Sequence, residues 1–239
     1  MELNKYIDHT NLKNNSTLKD IEKLCNEAIK YKFASVCVYP YYVPLASSLL
    51  KDTNVEVCTV IGFPSGMATK ETKVYEAIDA IEKGATEIDM VINVAALKNK
   101  DYDYVKEEIE EIRDAIDGKV LKVIIETCLL SEEEIIKMTE ICNETFVNFI
   151  KTSTGFSEYG ARAEDVELIN KHKNEVLEIK ASGGIRDIES AEAMIKAGAT
   201  RLGTSSGVKL MEIECDCEEC HCHDHDCECD KDCNCKEEK

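Results

Sequence analysis

Eight short runs rich in Val and Ile alternate with amphipathic helical runs along residues 1–211, and this alternation constrains the fold more than any other feature. The β-rich runs are bounded by Gly, Pro, Asn or Ser, which commonly end strands. The eight predicted strands are 7–10, 35–39, 55–61, 87–92, 120–126, 146–152, 177–181 and 200–204. Strands that alternate with helices in this way indicate a parallel sheet joined by crossover helices.

Apolar residues recur at helical spacing between the strands, with acids on the opposite faces. The predicted apolar faces are Leu18/Ile21/Leu24/Ala28, Val74/Ile78/Ile81, Val105/Ile109/Ile112/Ile116 and Ile188/Ala191/Ile195. Ser131 precedes three glutamates and predicts a helix start, because its hydroxyl can cap the first turn and negative charge favours that end.

Eight strand–helix units in about 210 residues favour a (β/α)₈ barrel at the short end of its usual size range. An open doubly wound sheet has the same local pattern and is the alternative. In both architectures the functional residues lie at the C-terminal ends of the strands.

The charge and composition narrow the choice of partners. A net charge of −19 disfavours binding to nucleic acid, because the phosphate backbone binds to positively charged protein surfaces. No apolar run has the length of a membrane span, and the first residues carry no apolar signal core, so a cytoplasmic protein is expected. Residues 1–211 contain five cysteines without paired spacing, which we therefore expect to be reduced core thiols: Cys25, Cys37, Cys58, Cys128 and Cys142.

Ionisable residues interrupt the apolar strands. Alternation along a strand puts Lys122 and Glu126 on one face, and it puts Asp89, Lys151 and Lys180 on faces shared with apolar neighbours. Buried charges are costly unless they are paired. A structural ion-pair cluster explains any one of them, but two lysines and an aspartate close to strand ends favour chemistry.

Two neighbouring lysines suit imine chemistry. An amine attacks a carbonyl only when it is unprotonated, and burial or a second cation disfavours the ammonium form. One lysine can then form a Schiff base while the other tunes it, and a carboxylate beside them can move protons through a water.

Glycine-rich turns follow the last two predicted strands. Ser182-Gly183-Gly184 follows the seventh strand, and Gly203-Thr204-Ser205-Ser206-Gly207 follows the eighth. Small residues there expose backbone N–H groups, and barrels often bind phosphate after these strands. The two loops together predict a phosphate site.

At these residues the chain closely resembles the deoxyribose-phosphate aldolase family. The matching stretches run in family order: IDHTNL (7–12), SVCVYPYYVPLA (35–46), VIGFPSGMATKETKVYEA (60–77), EIDMVIN (87–93), LKVIIETCLL (121–130), FIKTSTGF (149–156), IKASGGIRD (179–187) and RLGTSSG (201–207). The resemblance implies a class I aldolase on a (β/α)₈ barrel. Its reaction is the reversible cleavage of 2-deoxy-D-ribose 5-phosphate to acetaldehyde and D-glyceraldehyde 3-phosphate, in deoxyribonucleoside catabolism.

The resemblance also implies roles for individual residues. Lys151 matches the Schiff-base lysine, Lys180 the lysine that activates it, and Asp89 the carboxylate of the proton relay. The positions implied to bind substrate are Asp8, Cys37, Lys122, Gly155, Gly183, Gly184, Gly203, Ser205 and Ser206. No cofactor is expected for catalysis, the partners are sugar phosphates and aldehydes, and a homodimer is one assembly that the resemblance allows.

Two departures from the family pattern stand out. Arg162 replaces a Thr that is frequent after the FIKTSTGF loop, and we expect it to face solvent. Some members carry a mobile C-terminal Tyr that assists proton transfer, but here the last Tyr is Tyr159. Water relayed through Asp89 is then the expected route for the proton.

Composition changes abruptly after Met211. Residues 212–239 hold twelve acids, three lysines, eight cysteines and three histidines, a charge of −9. The predicted metal ligands are Cys215, Cys217, Cys220, Cys222, Cys227, Cys229, Cys233, Cys235, His221, His223 and His225. Thiolates with imidazoles suit Zn²⁺ or Cu(I), and the segment has too few apolar residues to build a core.

The sequence therefore predicts a barrel domain over 1–211 and a metallothionein-like, disordered metal-binding tail over 212–239. An acidic solubilising extension and a disulfide-bonded segment are the alternatives for the tail. For the whole chain, the alternatives are another Schiff-base barrel aldolase acting on a different sugar phosphate, and a metal buffer or metallochaperone carried on a barrel.

Overall fold

The computed structural model describes residues 2–212, and within them eight parallel strands close into a barrel in sequence order. The strands are β1 (Ile7–Asn11), β2 (Ser35–Val38), β3 (Glu56–Ile61), β4 (Glu87–Val91), β5 (Val120–Ile124), β6 (Phe149–Lys151), β7 (Glu178–Ser182) and β8 (Arg201–Thr204). All of them lie where the sequence predicted strands. The predicted (β/α)₈ barrel is confirmed.

Helices follow each strand and surround the barrel. They are α1 (Leu18–Tyr31), α2 (Val43–Leu50), α3 (Lys70–Glu82), α4 (Val94–Lys98), α5 (Tyr102–Ala115), α6 (Glu132–Glu144), α7 (Ala163–His172), α8 (Ile188–Ala197) and α9 (Gly207–Met211). Short 3-10 turns occupy Leu3–Tyr6, Pro40–Tyr42 and Thr127–Leu129. No helix within residues 2–212 is both long and apolar enough to cross a membrane.

Pairing between the first and last strands closes the sheet. Asp8 of β1 is in register with Gly203 of β8 on one side and with Ser35 of β2 on the other. An open doubly wound sheet has two edge strands that pair on one side only, so the pairing of β1 with β8 excludes it.

The helix starts follow the local sequence. The hydroxyl of Ser131 accepts a hydrogen bond from the backbone N–H of Glu134, and the Glu134 carboxylate accepts one from the backbone N–H of Ser131. Thr17 and Asp20 make the same reciprocal cap on α1. Each cap satisfies two backbone N–H groups that would otherwise lack a partner, as predicted for Ser131.

Two details of the prediction were wrong. The sixth strand begins at Phe149 and not at residue 146, because Phe146 has a left-handed φ of 51° and an exposed ring. Helix α3 buries Lys73, Ala77 and Ala80, so its inner face is rotated from the one expected around Ile78. The reason is the Lys73 ammonium, which forms an ion pair with Glu108 of α5 and so turns the lysine inward.

Leu18 and Ile188 are also exposed, at the starts of α1 and α8. Both are the first residues of their helices. The apolar face of α5, in contrast, is buried at Val105, Ile109 and Ile112 as predicted.

The strands separate an apolar layer from a polar interior. Residues such as Ile88, Met90, Leu121 and Val123 point outward and pack in the main hydrophobic core beneath the helices. Their neighbours in sequence, Asp89 among them, point into the barrel. The apolar core therefore lies between barrel and helices, and the barrel interior is left for charged groups.

Candidate active site

Charged side chains fill the centre of the barrel. Within residues 2–212 the buried or half-buried members of this cluster are Asp8 (β1), Glu87 and Asp89 (β4), Lys122 (β5), Lys151 (β6), Lys180 (β7) and Arg201 (β8). Strand alternation turns each of them inward. The predicted Asp8, Asp89, Lys122, Lys151 and Lys180 are thus brought together.

Asp89 is the hub of this cluster. Its Oδ2 atom lies 2.7 Å from Lys151 Nζ and 2.8 Å from Lys180 Nζ, and its Oδ1 atom lies 3.0 Å from Lys122 Nζ. Burial alone would raise the pKa of Asp89, but the three ammonium groups outweigh burial and hold that pKa well below its usual range. Asp89 is therefore an anion that can organise the lysines.

A second carboxylate holds Lys180 from below. Lys180 Nζ lies 2.6 Å from Asp8 Oδ2, and Arg201 lies 2.7 Å from Asp8 Oδ1. Burial opposes ionisation of both Asp8 and Lys180, but their mutual attraction and their other partners lower the pKa of Asp8 and raise the pKa of Lys180. Lys180 is therefore held as a cation next to Lys151.

Lys122 is bound still more tightly. Its Nζ atom lies 2.5 Å from Glu87 and 3.2 Å from Cys58 Sγ, in addition to its contact with Asp89. Burial would lower the pKa of Lys122, but the surrounding anions raise it well above its usual value. Lys122 is a fixed positive charge on the far side of Asp89 from Lys151.

The cluster carries one more cation than it has carboxylates. Four cations, Lys122, Lys151, Lys180 and Arg201, face the carboxylates of Asp8, Glu87 and Asp89. Among these described residues Lys151 has the fewest partners, a single carboxylate oxygen that it shares with Lys180. Loss of the Lys151 proton therefore leaves the cluster neutral and leaves Asp89 still paired.

A cavity of about 320 Å³ opens above the cluster, at the C-terminal ends of the strands. The predicted residues on its wall are Lys151, Gly155, Gly183, Gly184, Gly203 and Ser205. Asp8, Cys37, Asp89, Lys122 and Lys180 are buried in the barrel beneath it. Of the catalytic candidates, Lys151 alone is on the wall.

Ser206 has a different position from Ser205. Ser206 lines a neighbouring cavity between α1 and α9, together with His9 and Lys209. Its backbone N–H donates to Thr204 Oγ1 at 2.9 Å. Ser205 lines both cavities.

The glycine loop after β7 is packed against the loop after β6. Gly183 has a φ of +83°, and a Cβ atom there would lie 2.9 Å from the Cα atom of Gly160. The backbone N–H of Ala161 donates to Ser182 O at 2.9 Å and reinforces this contact. Only glycine fits at position 183, and the two loops form one rigid wall of the cavity.

Two cations on the cavity wall, Lys13 and Arg186, and the buried carboxylate of Glu126 were not predicted as site residues. Lys13 and Arg186 line the cavity on the side of Gly184 and Ser205, where an anion would find two positive side chains. Glu126 accepts hydrogen bonds from the backbone N–H and the hydroxyl of Thr154, and so joins the loops after β5 and β6. Arg162 is exposed over the ring of Tyr159, as expected of a residue facing solvent.

Glu87 and Arg201 were missed within the barrel. Strand alternation could have indicated both residues, because Glu87 shares its strand face with Asp89, and Arg201 shares its face with Gly203. Both residues begin their strands, where charges are usual at a surface. Sequence alone does not show that these strand starts lie inside a closed barrel.

One group of described residues has ligand atoms close enough to suggest a metal. The Sγ atoms of Cys37 and Cys58 and a carboxylate oxygen of Asp89 lie within 4.8 Å of one another. Lys122 Nζ already contacts both Cys58 Sγ and Asp89 Oδ1, so an ammonium group takes the place that a cation would need. The metal ligands predicted between Cys215 and Cys235 lie outside the described residues.

Comparison with known proteins gives a consistent result. The model of the DeoC/LacD family aldolases matches residues 3–211. A deoxyribose-phosphate aldolase of Thermoanaerobacter sp. (strain X514) is 56% identical over 215 residues, covering 89% of this chain and 96% of that protein. One from Clostridium tetani is 55% identical over 213 residues, covering 89% of this chain and 99% of that protein.

Solved structures agree. A putative deoxyribose-phosphate aldolase from Coccidioides immitis superposes with a TM-score of 0.85 at 42% identity, over 87% of this chain and 84% of that chain. The enzyme from Aeropyrum pernix, described as a tetramer, gives a TM-score of 0.82 at 33% identity, over 87% and 89% of the two chains.

A closed (β/α)₈ barrel with a lysine at the mouth of a charged interior defines an aldolase-type barrel enzyme. Sequence identity of about 55% over nearly the whole length of its relatives narrows this class to one family. The chain belongs to the DeoC/LacD family of aldolases.

Proposed function

We propose that this enzyme is a class I deoxyribose-phosphate aldolase, which reversibly cleaves 2-deoxy-D-ribose 5-phosphate to acetaldehyde and D-glyceraldehyde 3-phosphate. The relatives at 54–56% identity carry that name, and their similarity extends along the whole barrel. The observation that carries the mechanism is the position of Lys151, which lies on the cavity wall and contacts a single carboxylate oxygen of the cluster.

Lys151 is the nucleophile in this proposal. Its free amine attacks the aldehyde carbon of the open-chain sugar, and loss of water gives an imine. Lys180 stays charged between Asp8 and Asp89, so Lys151 is the lysine that can reach a substrate from the cavity wall. Lys180 cannot take over this role without losing its ion pairs with two buried carboxylates, Asp8 and Asp89.

Asp89 moves the proton. Breaking the bond between the second and third carbons sends its electron pair toward the imine nitrogen, while the third-carbon hydroxyl gives up its proton and becomes the aldehyde of the departing fragment. The enamine left on Lys151 then takes a proton on carbon, and hydrolysis frees acetaldehyde. Asp89 Oδ2, 2.7 Å from Lys151 Nζ, is placed to relay these protons through a water.

The glycine-rich wall of the cavity binds the phosphate in this proposal. Gly155, Gly183, Gly184, Gly203 and Ser205 present small groups and backbone N–H donors to the cavity. The cations that balance the phosphate charge are Lys13 and Arg186, on the same wall. In this proposal the buried residues Asp8, Cys37 and Lys122 lie beneath the bound substrate. Ser206 lines the neighbouring cavity and contributes to the phosphate loop from there.

Borohydride reduction tests the nucleophile. It converts an imine into a stable secondary amine, so incubation with acetaldehyde and borohydride should label the peptide that contains Lys151. Lys151→Ala should abolish the label and lower turnover by several orders of magnitude. A label on Lys180, with turnover retained in Lys151→Ala, would show that the roles are reversed.

An aldolase for another phosphorylated sugar is the second candidate. The phosphate wall and the imine lysine suit both, and the 2-deoxy position distinguishes them. Comparing kcat/KM for 2-deoxyribose 5-phosphate and ribose 5-phosphate decides between the two, because the proposed function requires a strong preference for the deoxy sugar.

We further propose that catalysis needs no metal or other cofactor, because the imine already supplies the electron sink. The tail of residues 212–239 binds Zn²⁺ or Cu(I) in this proposal, which rests on its eight cysteines and three histidines. We also propose that the enzyme is a cytoplasmic homodimer that binds neither nucleic acid nor membranes, in keeping with a net charge of −19.

A further inference from the structure

Two cysteines face each other inside the barrel, next to the catalytic cluster. Cys37 of β2 is in register with Cys58 of β3, and both side chains are fully buried. Neighbouring strands lie roughly 4.8 Å apart, and the Cα atoms of disulfide-bonded cysteines usually lie ~4.4–6.8 Å apart. The pair is therefore spaced for a disulfide with little movement of the backbone.

The cavity lies close to the cysteine pair. Cys37 packs in one apolar cluster with Leu12, which lines the cavity wall. Cys37 is also in register with Thr10 of β1, another wall residue. Cys37 is thus next to residues of the cavity wall, and Cys58 contacts Asp89.

The two thiols are chemically different. Cys58 lowers the pKa of Cys37 through a hydrogen bond, against the opposing effect of burial. Burial and that same hydrogen bond raise the pKa of Cys58 well above its usual value. Cys37 is the better nucleophile, and Cys58 is a neutral thiol beside it.

The charges around the pair favour a disulfide over a bound metal ion. Lys122 Nζ lies 3.2 Å from Cys58 Sγ, which repels a dication. A disulfide replaces two neutral thiols by a neutral bond, so it leaves the net charge of this buried cluster unchanged.

We propose that Cys37 and Cys58 form a reversible disulfide that switches the aldolase off under oxidation by a peroxide. The sulfur of Cys37 attacks one oxygen of hydrogen peroxide and the O–O bond breaks, which gives a sulfenic acid on Cys37. The other oxygen departs as hydroxide, takes the thiol proton and becomes water. The sulfur of Cys58 attacks the resulting sulfenic acid and expels a second water with its own proton. Two thiols are oxidised and one peroxide is reduced.

Oxidation changes the surroundings of Asp89. The thiol of Cys58 lies 3.0 Å from Asp89 Oδ1 and can donate a hydrogen bond to it, which a disulfide sulfur cannot do. Lys122 also loses its thiol partner. Since Asp89 positions both lysines in the proposed function, we expect about a tenfold or greater loss of kcat.

The test uses the reduced full-length chain treated with hydrogen peroxide. Remaining thiols are alkylated and the protein is digested with trypsin, which cuts after Lys32, Lys51 and Lys70 and so puts Cys37 and Cys58 on separate peptides, 33–51 and 52–70. We expect these peptides to be linked, with loss of aldolase activity in parallel and recovery of both on addition of dithiothreitol.

Matched variants separate this pair from the other thiols. Cys128→Ser, and a full-length chain with its eight tail cysteines changed to serine, should still form the link and still lose activity relative to their own reduced forms. Cys58→Ala should give no link and should leave Cys37 as a sulfenic acid that dimedone traps. An unlinked pair in an inactivated wild type, or a linked pair with full activity, overturns the proposal.

The inference about activity rests on the proposed function. Failure of the disulfide proposal can be distinguished from failure of the proposed function, because mass spectrometry detects the peptide linkage without any aldolase turnover. If the reduced enzyme does not cleave 2-deoxyribose 5-phosphate, the proposed function is wrong, and the linkage result still decides whether the disulfide forms.

Discussion

Lys151 and Lys180 share a single carboxylate oxygen, Oδ2 of Asp89, at 2.7 and 2.8 Å. The two amines differ in what else they touch. Lys180 has a second carboxylate partner in Asp8, 2.6 Å away, whereas Lys151 faces the cavity. Asp89 thus contacts two lysines side by side: Lys180, which is held as a cation by a second carboxylate, and Lys151, which is the proposed nucleophile.

Lys180→Arg should keep the positive charge and still lose most activity. Lys180 is fully buried between Asp8 and Asp89, and a guanidinium is larger and planar, so it cannot place one nitrogen at both contacts without displacing Lys151. We expect kcat to fall by about a hundredfold, since a misplaced catalytic group costs rates of that order. Steady-state kinetics measure this, and wild-type values would rule out a tightly packed electrostatic role.

Gly183→Ala should weaken recognition of the phosphate. Its Cβ atom would lie 2.9 Å from Gly160 Cα, and its φ of +83° adds backbone strain. We expect KM for the sugar phosphate to rise about tenfold or more, as for a loss of ~1.4 kcal/mol, with much less change in retro-aldol cleavage of unphosphorylated deoxyribose.

Gly118→Ala is the control for that variant. Gly118 has a similar φ of +75°, but a Cβ atom there meets nothing within 4 Å. It therefore reports the cost of the backbone conformation alone. Equal effects of the two substitutions on KM would contradict the assignment of Gly183 to the phosphate wall.

Lys73→Met should destabilise the barrel. Lys73 and Glu108 form a fully buried ion pair, 2.6 Å apart, and Lys73 also donates to Val91 O at the end of β4. Removing the lysine leaves the Glu108 carboxylate buried without its partner, and such changes cost about 3–5 kcal/mol. The free energy of unfolding in urea measures the loss.

Lys70→Met, on the same helix, is the comparison. Lys70 pairs with Glu107 and Glu111, both exposed, so its removal should have only a small effect on stability. A double variant, Lys73→Met with Glu108→Leu, should recover part of the stability lost by Lys73→Met. Equal destabilisation by the two single lysine variants would show that burial of the pair is not what matters.

The tail should bind soft metal ions while turnover stays independent of them. Titration of Zn²⁺ and Cu(I) under reducing conditions should give uptake by the full-length chain and little by residues 1–211, because the eight tail thiols supply the ligands. Affinity should weaken as pH falls, since thiolates and neutral imidazoles must lose protons to bind. Equal uptake by both chains would remove the tail hypothesis.

Chelation tests the other half of that prediction. Treatment of residues 1–211 with a chelator should leave aldolase turnover unchanged, because the imine at Lys151 needs no Lewis acid. Loss of turnover on chelation, with recovery on adding Zn²⁺, would show that the barrel itself uses a metal.

The sequence by itself determined the architecture and the kind of site. Val- and Ile-rich runs and the helical spacing between them are local patterns, so strands such as Glu87–Val91 lie where the alternation predicted them. Alternation within the strands also predicted inward-facing charges, and the structure has such charges at Asp89, Lys122, Lys151 and Lys180. These properties depend on residues a few positions apart, which a sequence displays directly.

Only the tertiary structure decided which charges meet. Asp8 and Arg201, 193 residues apart, are joined because β1 pairs with β8. The same closure separates Lys151, on the cavity wall, from Lys180 beneath it, and the packing of α3 on α5 buries Lys73 against Glu108. Such contacts arise from the pairing of distant segments in three dimensions, and a charged residue has no local feature that shows whether its partner is water or another buried charge.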